Sequence, residues 1–255
     1  MGLFIVEFNL KKPSRVTVEE GDVIVDKGCS TVTVRNVEAD SYDDAENKAI
    51  PKANALLDEL SRQCEINLEL GNGCTVTPQD SPTTRHIKRF NVKVYATGGH
   101  RKRYPHTLKE VIIKASDAKT YYRKAAISQD SFDKFRNLYL AIENVASKIA
   151  AAKGKHFDSE SGLLQFALQT CFSSNRQLLK EHTHIYGFEK TGDIFLDVAI
   201  FLYKKNRVQL SHSKASERKK IPFNPSDERE VQVSLPLAEL VAKSLLSYED
   251  AHLLS

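Results

Sequence analysis

Several protein classes are excluded by what this chain of 255 residues lacks. It has 4 cysteines, Cys29, Cys64, Cys74 and Cys171, with no Cys-x-x-Cys pair. Their spacing builds neither a zinc site nor a dense disulfide framework, so four reduced thiols are expected. No run of about 18 uncharged apolar residues is present to cross a membrane. Residues 1–10 lack the basic-then-apolar order of a secretory signal. A cytoplasmic protein without membrane association is the expectation. Nor is one sign of charge in large excess: the net charge of +4 says little by itself about partners. At 41% hydrophobic residues the chain can bury a sizeable core and fill two domains of ordinary size.

The charge is unevenly spread. Residues 1–84 carry net −7, residues 85–114 net +8 and the remainder net +3. The middle block places Arg85, Lys88, Arg89, Lys93, Arg101, Lys102 and Arg103 beside Phe90, Tyr95 and Tyr104. Basic side chains interleaved with aromatic rings suit RNA binding by charge and stacking, and Arg101, Lys102 and Arg103 are candidate contacts. The same composition also suits a sheet edge kept soluble by cations, or a face that docks the acidic first 84 residues.

The first half reads as strands, at residues 3–8, 15–18, 23–25, 31–34, 65–70, 74–77, 91–95 and 111–113, rich in β-branched residues. One helix interrupts them. Behind a cap region at Ser41, Asp43 and Asp44, residues Ala45, Ala49, Ala53, Leu56, Leu57 and Leu60 recur at helical spacing, with Pro51 expected to kink the helix. After Ser116 and Asp117 strand patterns cease, apart from a candidate at 231–233, and helical segments follow one another. The fold class is therefore α+β: an N-terminal mixed β-sheet domain with one helix over 1–115, then an all-α helical bundle over 118–255. Segments 129–153 and about 159–182 read as helices, and the final segment 235–254 as an amphipathic core helix. His182 and His184 have no carboxylate or Cys at ligand spacing nearby, so no metal is expected.

A further helix starts at Asp193, a candidate N-cap, and runs to about residue 213. Near its end Arg207 is followed five residues later by His212. An always-charged guanidinium and an imidazole that titrates near neutrality are what a metal-free nuclease needs. The spacing alone is cheap: chance gives about 0.4 such pairs in a chain of this composition. A second pair, Arg101 and His106, lies in a stretch bounded by Gly-Gly and Pro and reads as a loop. On a straight α-helix Arg207 and His212 point about 140° apart, so they converge only through the length of Arg207 or through distortion of the helix end. The helix is apolar on two sides, and a symmetric dimer would bury the second.

With Arg207 and His212 at a helix end and Glu143 on an earlier helix, in the run 135–144, the C-terminal half resembles a HEPN domain. These are small all-α bundles, usually dimeric, whose signature is Arg, four to six residues, then His. The resemblance covers roughly residues 118–253. It implies a metal-independent endoribonuclease without cofactor, in which the ribose 2′-OH attacks phosphorus and leaves a 2′,3′-cyclic phosphate. Arg207, His212 and Glu143 would be the catalytic set, as phosphate stabiliser, proton carrier and positioner. Asn206, Lys214, Arg218, Lys219 and Lys220 are candidate RNA contacts. RNA and a second copy of the chain are the implied partners, with a protein partner or trigger at the N-terminal domain and a setting in stress or phage defence. Val208 departs from the polar residue that commonly follows the Arg in catalytic members, and Lys214 stands where some HEPN toxins carry a modified Tyr. The alternative is a non-catalytic HEPN module that binds RNA or a nucleotide, or that dimerises.

Overall fold

The computed structural model describes residues 1–80, 85–87, 114–182, 188, 190–211, 220–221 and 224–254. It divides into two compact units, Met1–Ala115 and Ser116–Ser255. The strand patterns expected at 91–95 and 111–113 lie outside the described residues.

In the first unit, β1 (Gly2–Leu10), β2 (Val18–Glu20), β3 (Val23–Val25), β4 (Thr31–Ala39), β5 (Leu70–Pro78) and β6 (Arg85–Ile87) form one sheet in the order β2-β3-β4-β1-β5-β6. The mixed sheet expected above is antiparallel at every described pair. Alternation sets its faces: Val6 and Phe8 are buried while Glu7 and Asn9 are exposed. Helix α1 (Tyr42–Cys64) covers the buried face with Ala45, Ala49, Ala53, Leu56, Leu57 and Leu60, all without solvent exposure. The alanines have no bulk to hold the helix away, so backbone and sheet approach closely. Ser41 caps the helix by accepting from the Asp44 amide at 3.1 Å, and the helix runs through Pro51. Residues 65–69, expected as strand, are irregular because Glu65 ends α1 in a left-handed conformation (φ 54°), after which Ile66 and Leu68 drop into the core.

The second unit is helical among its described residues. It contains α2 (Asp117–Ile127), α3 (Ser131–Ala152), α4 (Glu160–Phe172), α5 (Arg176–Lys180), α6 (Ile194–Ile200), a π-helical segment (Phe201–Val208), α7 (Gln209–Ser211) and α8 (Pro225–His252). The chain is α+β as a whole. Helix α3 packs against α2 and α8, and α4 against α6. Phe135, Leu138, Ile142, Leu164, Leu168, Val198, Val241 and Leu245 fill the shared core. The helix expected over 159–182 is two pieces, broken between Phe172 and Arg176. Residues 231–233, a candidate strand, belong to α8. Val231 is buried and Val233 exposed, as two positions about 200° apart on a helix should be, whereas on a strand they would share a face.

At the start of α2 the Ser116 hydroxyl donates to both oxygens of Glu249, at 2.8 and 2.9 Å, and Lys148 reaches Glu249 Oε1 at 2.6 Å. The carboxylate is fully buried, so these charge-assisted bonds replace its lost hydration and tie α8 to α2 and α3. Replacing Glu249 with Ala should lower the unfolding free energy by about 2–3 kcal/mol, read by denaturant titration; Lys148, partly exposed, then turns to water and limits the loss.

Candidate functional site

The helix that carries Arg207 is fastened at both ends. At its start the Asp193 side chain accepts from the Phe195 amide at 2.9 Å and from Gln165 Nε2 of α4 at 2.8 Å. Asp197, one turn on, accepts from the amide and the hydroxyl of Thr191, each at 2.7 Å. These bonds satisfy donors that a helix start leaves open and set the helix direction against α4.

From Phe201 to Val208 the helix widens to π geometry, with backbone bonding from i to i+5. The distorted segment takes in Arg207 itself and ends at Val208. Asn206 secures it. Its Nδ2 donates to the Phe201 carbonyl at 3.1 Å, five residues back, and its Oδ1 accepts from Lys220 Nζ at 2.7 Å and from Ser234 Oγ at 3.1 Å. A carbonyl can only accept and an ammonium only donate, so the amide has one orientation that satisfies all three contacts. Glu230 stands 3.7 Å from the Lys220 ammonium, and the Lys220 amide donates to the Gln209 carbonyl at 3.0 Å. Asn206 has no solvent exposure and Lys220 is buried. Both were expected to face RNA; both are turned inward, because the amide closes the wide turn and the lysine completes the amide.

With Asn206 facing the core, Tyr203 and Arg207 face α3 and α4. Arg207 Nε lies 3.7 Å from Glu160 Oε1, and its guanidinium carbon lies 5.9 Å from the centre of the Tyr139 ring. The Tyr139 hydroxyl donates to Glu160 Oε1 at 3.2 Å. Glu143 and Tyr203 lie close enough to Glu160 for it to act on both. Burial, followed by the negative charge of Glu160, pushes the Glu143 carboxyl above its ordinary value; the Glu160 hydrogen bond adds to the rise and Arg207 opposes it. Burial and Glu160 raise the Tyr139 and Tyr203 phenols as well, so both stay protonated near neutrality. Two adjacent carboxyls resist carrying two negative charges, and the cluster sets one guanidinium beside them.

The structure therefore brings Arg207 and Glu143 into one cluster and adds Glu160, Tyr139 and Tyr203, which sequence reasoning did not single out. Glu160 had one signal, an acidic residue directly after the capping Ser159, but that pattern marks helix starts in general. His212, Lys214, Arg218, Lys219 and the block Arg101, Lys102 and Arg103 lie outside the described residues. Among the described residues no group of three or more His, Cys, Asp or Glu could hold a metal ion, and no helix is long and apolar enough to cross a membrane. The four cysteines are free thiols, and burial raises that of Cys171 to about 12.

The family model described as methylamine utilization protein MauJ matches residues 118–247, from α2 through most of α8. This span is half of the chain and contains the whole cluster around Arg207. The chain belongs to the MauJ family. No curated protein and no solved structure matches it. The MauJ-matched unit also carries a cleft of about 330 Å³ at the start of α6, lined by Gln169, Arg176, Lys180 and Asp193 among others, with the Arg176 guanidinium 5.0 Å above the Phe195 ring.

The raised Glu143 carboxyl makes MauJ-unit stability depend on pH with a definite sign. A carboxyl whose folded value lies above its unfolded value of 4.5 favours the folded state while protonated. That contribution is complete below 4.5 and is lost as pH rises through the folded value. Glu143→Gln, which cannot ionise, should flatten this part of the stability profile, measured as urea midpoints from pH 4 to pH 8. An unchanged slope would show that Glu143 does not hold the proton.

Proposed function

We propose that the helical unit of this MauJ-family chain is a HEPN-type domain, and that the protein is a metal-independent endoribonuclease acting through Arg207 and His212. The observation that carries the reading is the setting of Arg207: a guanidinium in a π turn, partly exposed, beside an aromatic ring and the two adjacent carboxyls of Glu143 and Glu160. π-Helical turns inside helices concentrate at functional sites. A preorganised guanidinium suits the oxygens of a phosphodiester as charge builds on them.

In this reaction the ribose 2′-OH loses its proton to a base and attacks phosphorus. The bond from phosphorus to the 5′-oxygen breaks, and the leaving oxygen takes a proton from an acid. An imidazole with a pKa near 6.5 serves either step near neutral pH, and two copies of His212 in a dimer would divide them. Arg207 stabilises the phosphoryl oxygens between the two proton transfers. Location in the cytoplasm, RNA as substrate, dimerisation and a role in stress or phage defence belong to the same proposal.

A second reading, a HEPN-type module that binds RNA or a nucleotide without cutting it, is favoured by Val208. An apolar residue beside Arg207 offers no hydrogen bond to a reacting group.

Arg207→Ala and His212→Ala should each abolish cleavage of a labelled structured RNA in EDTA, with loss of 2′,3′-cyclic phosphate ends and a Tm within a few degrees of wild type. Cleavage that survives in either variant removes that residue from the mechanism. Light scattering should find a dimer at micromolar concentration; a monomer that still cuts would rule out the shared cleft.

A further inference from the structure

Glu160 has no role in the motif of Arg207 and His212, yet the described groups around Arg207 meet on it. Its carboxylate approaches Arg207 Nε, accepts from the Tyr139 hydroxyl and lies close enough to Glu143 and Tyr203 to raise both groups. We infer that Glu160, rather than Glu143, is the positioning residue of Arg207: from the first turn of α4 it anchors the guanidinium side-on at Nε and leaves the terminal nitrogens for a phosphate-bearing ligand. The inference rests on the reading of Arg207 as a phosphate contact.

Local sequence explains why Glu160 sits where it does. Ser159 caps α4 by accepting from the Gly162 amide at 3.2 Å, which fixes the backbone of the intervening Glu160 and Ser161. A Cβ at Gly162 would come within 2.9 Å of the Ser159 hydroxyl oxygen, so the glycine makes room for the cap. The positive end of the helix dipole favours negative charge on the first residue. Glu143 lies within the body of α3, more than two turns from its start, without that support, and its carboxyl is raised by burial and by Glu160. Among the described residues Glu143 makes no ion pair with Arg207, so Glu160 is the carboxylate that Arg207 meets directly.

The geometry suits holding rather than quenching. At 3.7 Å the contact is an ion pair without a direct hydrogen bond, and it engages the Nε edge of the fork. Among the described residues the terminal nitrogens of Arg207 have no hydrogen-bond partner, and the side chain is 31% exposed against 20% for Glu160. The Tyr139 ring lies beside the guanidinium and restricts its swing. A bidentate pair with Glu160 would have occupied the groups that a phosphate needs; the side-on contact does not.

The test uses the full chain with 15N-labelled arginine and reads the mobility of the Arg207 Nε–Hε group by heteronuclear NOE, its signal assigned by its loss in Arg207→Lys. Wild type and Glu143→Gln should show an ordered guanidinium, and Glu160→Gln a mobile one at unchanged Tm, since Gln keeps an acceptor for Tyr139 and loses only the charge. Order retained in Glu160→Gln, or lost equally in Glu143→Gln, overturns the inference. Should Glu160→Gln melt far below wild type, Tyr139→Phe takes its place: it frees Glu160 from its hydroxyl tether while keeping the ring. Rising mobility there supports the inference, and unchanged order contradicts it. In parallel, kcat for RNA cleavage should fall about tenfold in Glu160→Gln with KM little changed. If wild type cuts no RNA, the nuclease reading fails while the NMR result still decides the role of Glu160.

Discussion

The contact between the Asn206 carboxamide and the Lys220 ammonium is the interaction on which the candidate site depends. A buried lysine is costly unless its charge is met, and here a side-chain oxygen at 2.7 Å and the Glu230 carboxylate meet it. Satisfying Lys220 commits Asn206 Oδ1, which leaves Nδ2 to close on the Phe201 carbonyl. That closure spans the same five residues as the π turn. Folding energy held in a polar network at the back of the helix thereby sets the direction in which Tyr203 and Arg207 leave its front.

At that front, chemistry follows from crowding of like charge. Two carboxyls, Glu143 and Glu160, meet beside one guanidinium, and burial resists ionising both. Glu160, at a helix start, makes the direct contact with the guanidinium, and Glu143, within a helix, is pushed toward its protonated form. The outcome is a guanidinium met along its Nε edge whose terminal nitrogens have no hydrogen-bond partner among the described residues, a geometry that suits the proposed contact with a phosphodiester.

Much of the fold was legible because it is local. The alternation in β1, the Ala and Leu spacing of α1, the Ser41 and Asp193 caps and the apolar stripe of α3 are patterns within one element, and each element formed where its pattern lay. Segment ends were less legible: Glu65 turns left-handed and cuts short an expected strand, and Val231–Val233 only shows its helical phase once the burial of each valine is known. The site was legible by type and not by direction. Asn206 and Lys220 read as RNA contacts because polar residues beside a motif are exposed by default. What buries them is the company of Ser234 and Glu230, far along the chain on α8. No Pro or Gly marks the π turn, so its cause is visible only in three dimensions. Glu143 entered through the resemblance to HEPN domains rather than through spacing, and Glu160 was hidden by being an ordinary acidic residue in a first helical turn.

The central claim is that Asn206 and Lys220 act as one unit in holding the turn that aims Arg207. A double-mutant cycle on unfolding free energy, with Asn206→Leu, Lys220→Met and the pair, measures it most directly. The account predicts that each single change is costly, because it strands a buried polar partner, and that the double change costs less than their sum by about 1.5–3 kcal/mol. Additivity to within about 0.5 kcal/mol would contradict it, since the two side chains would then be buried independently and the turn would owe nothing to their contact.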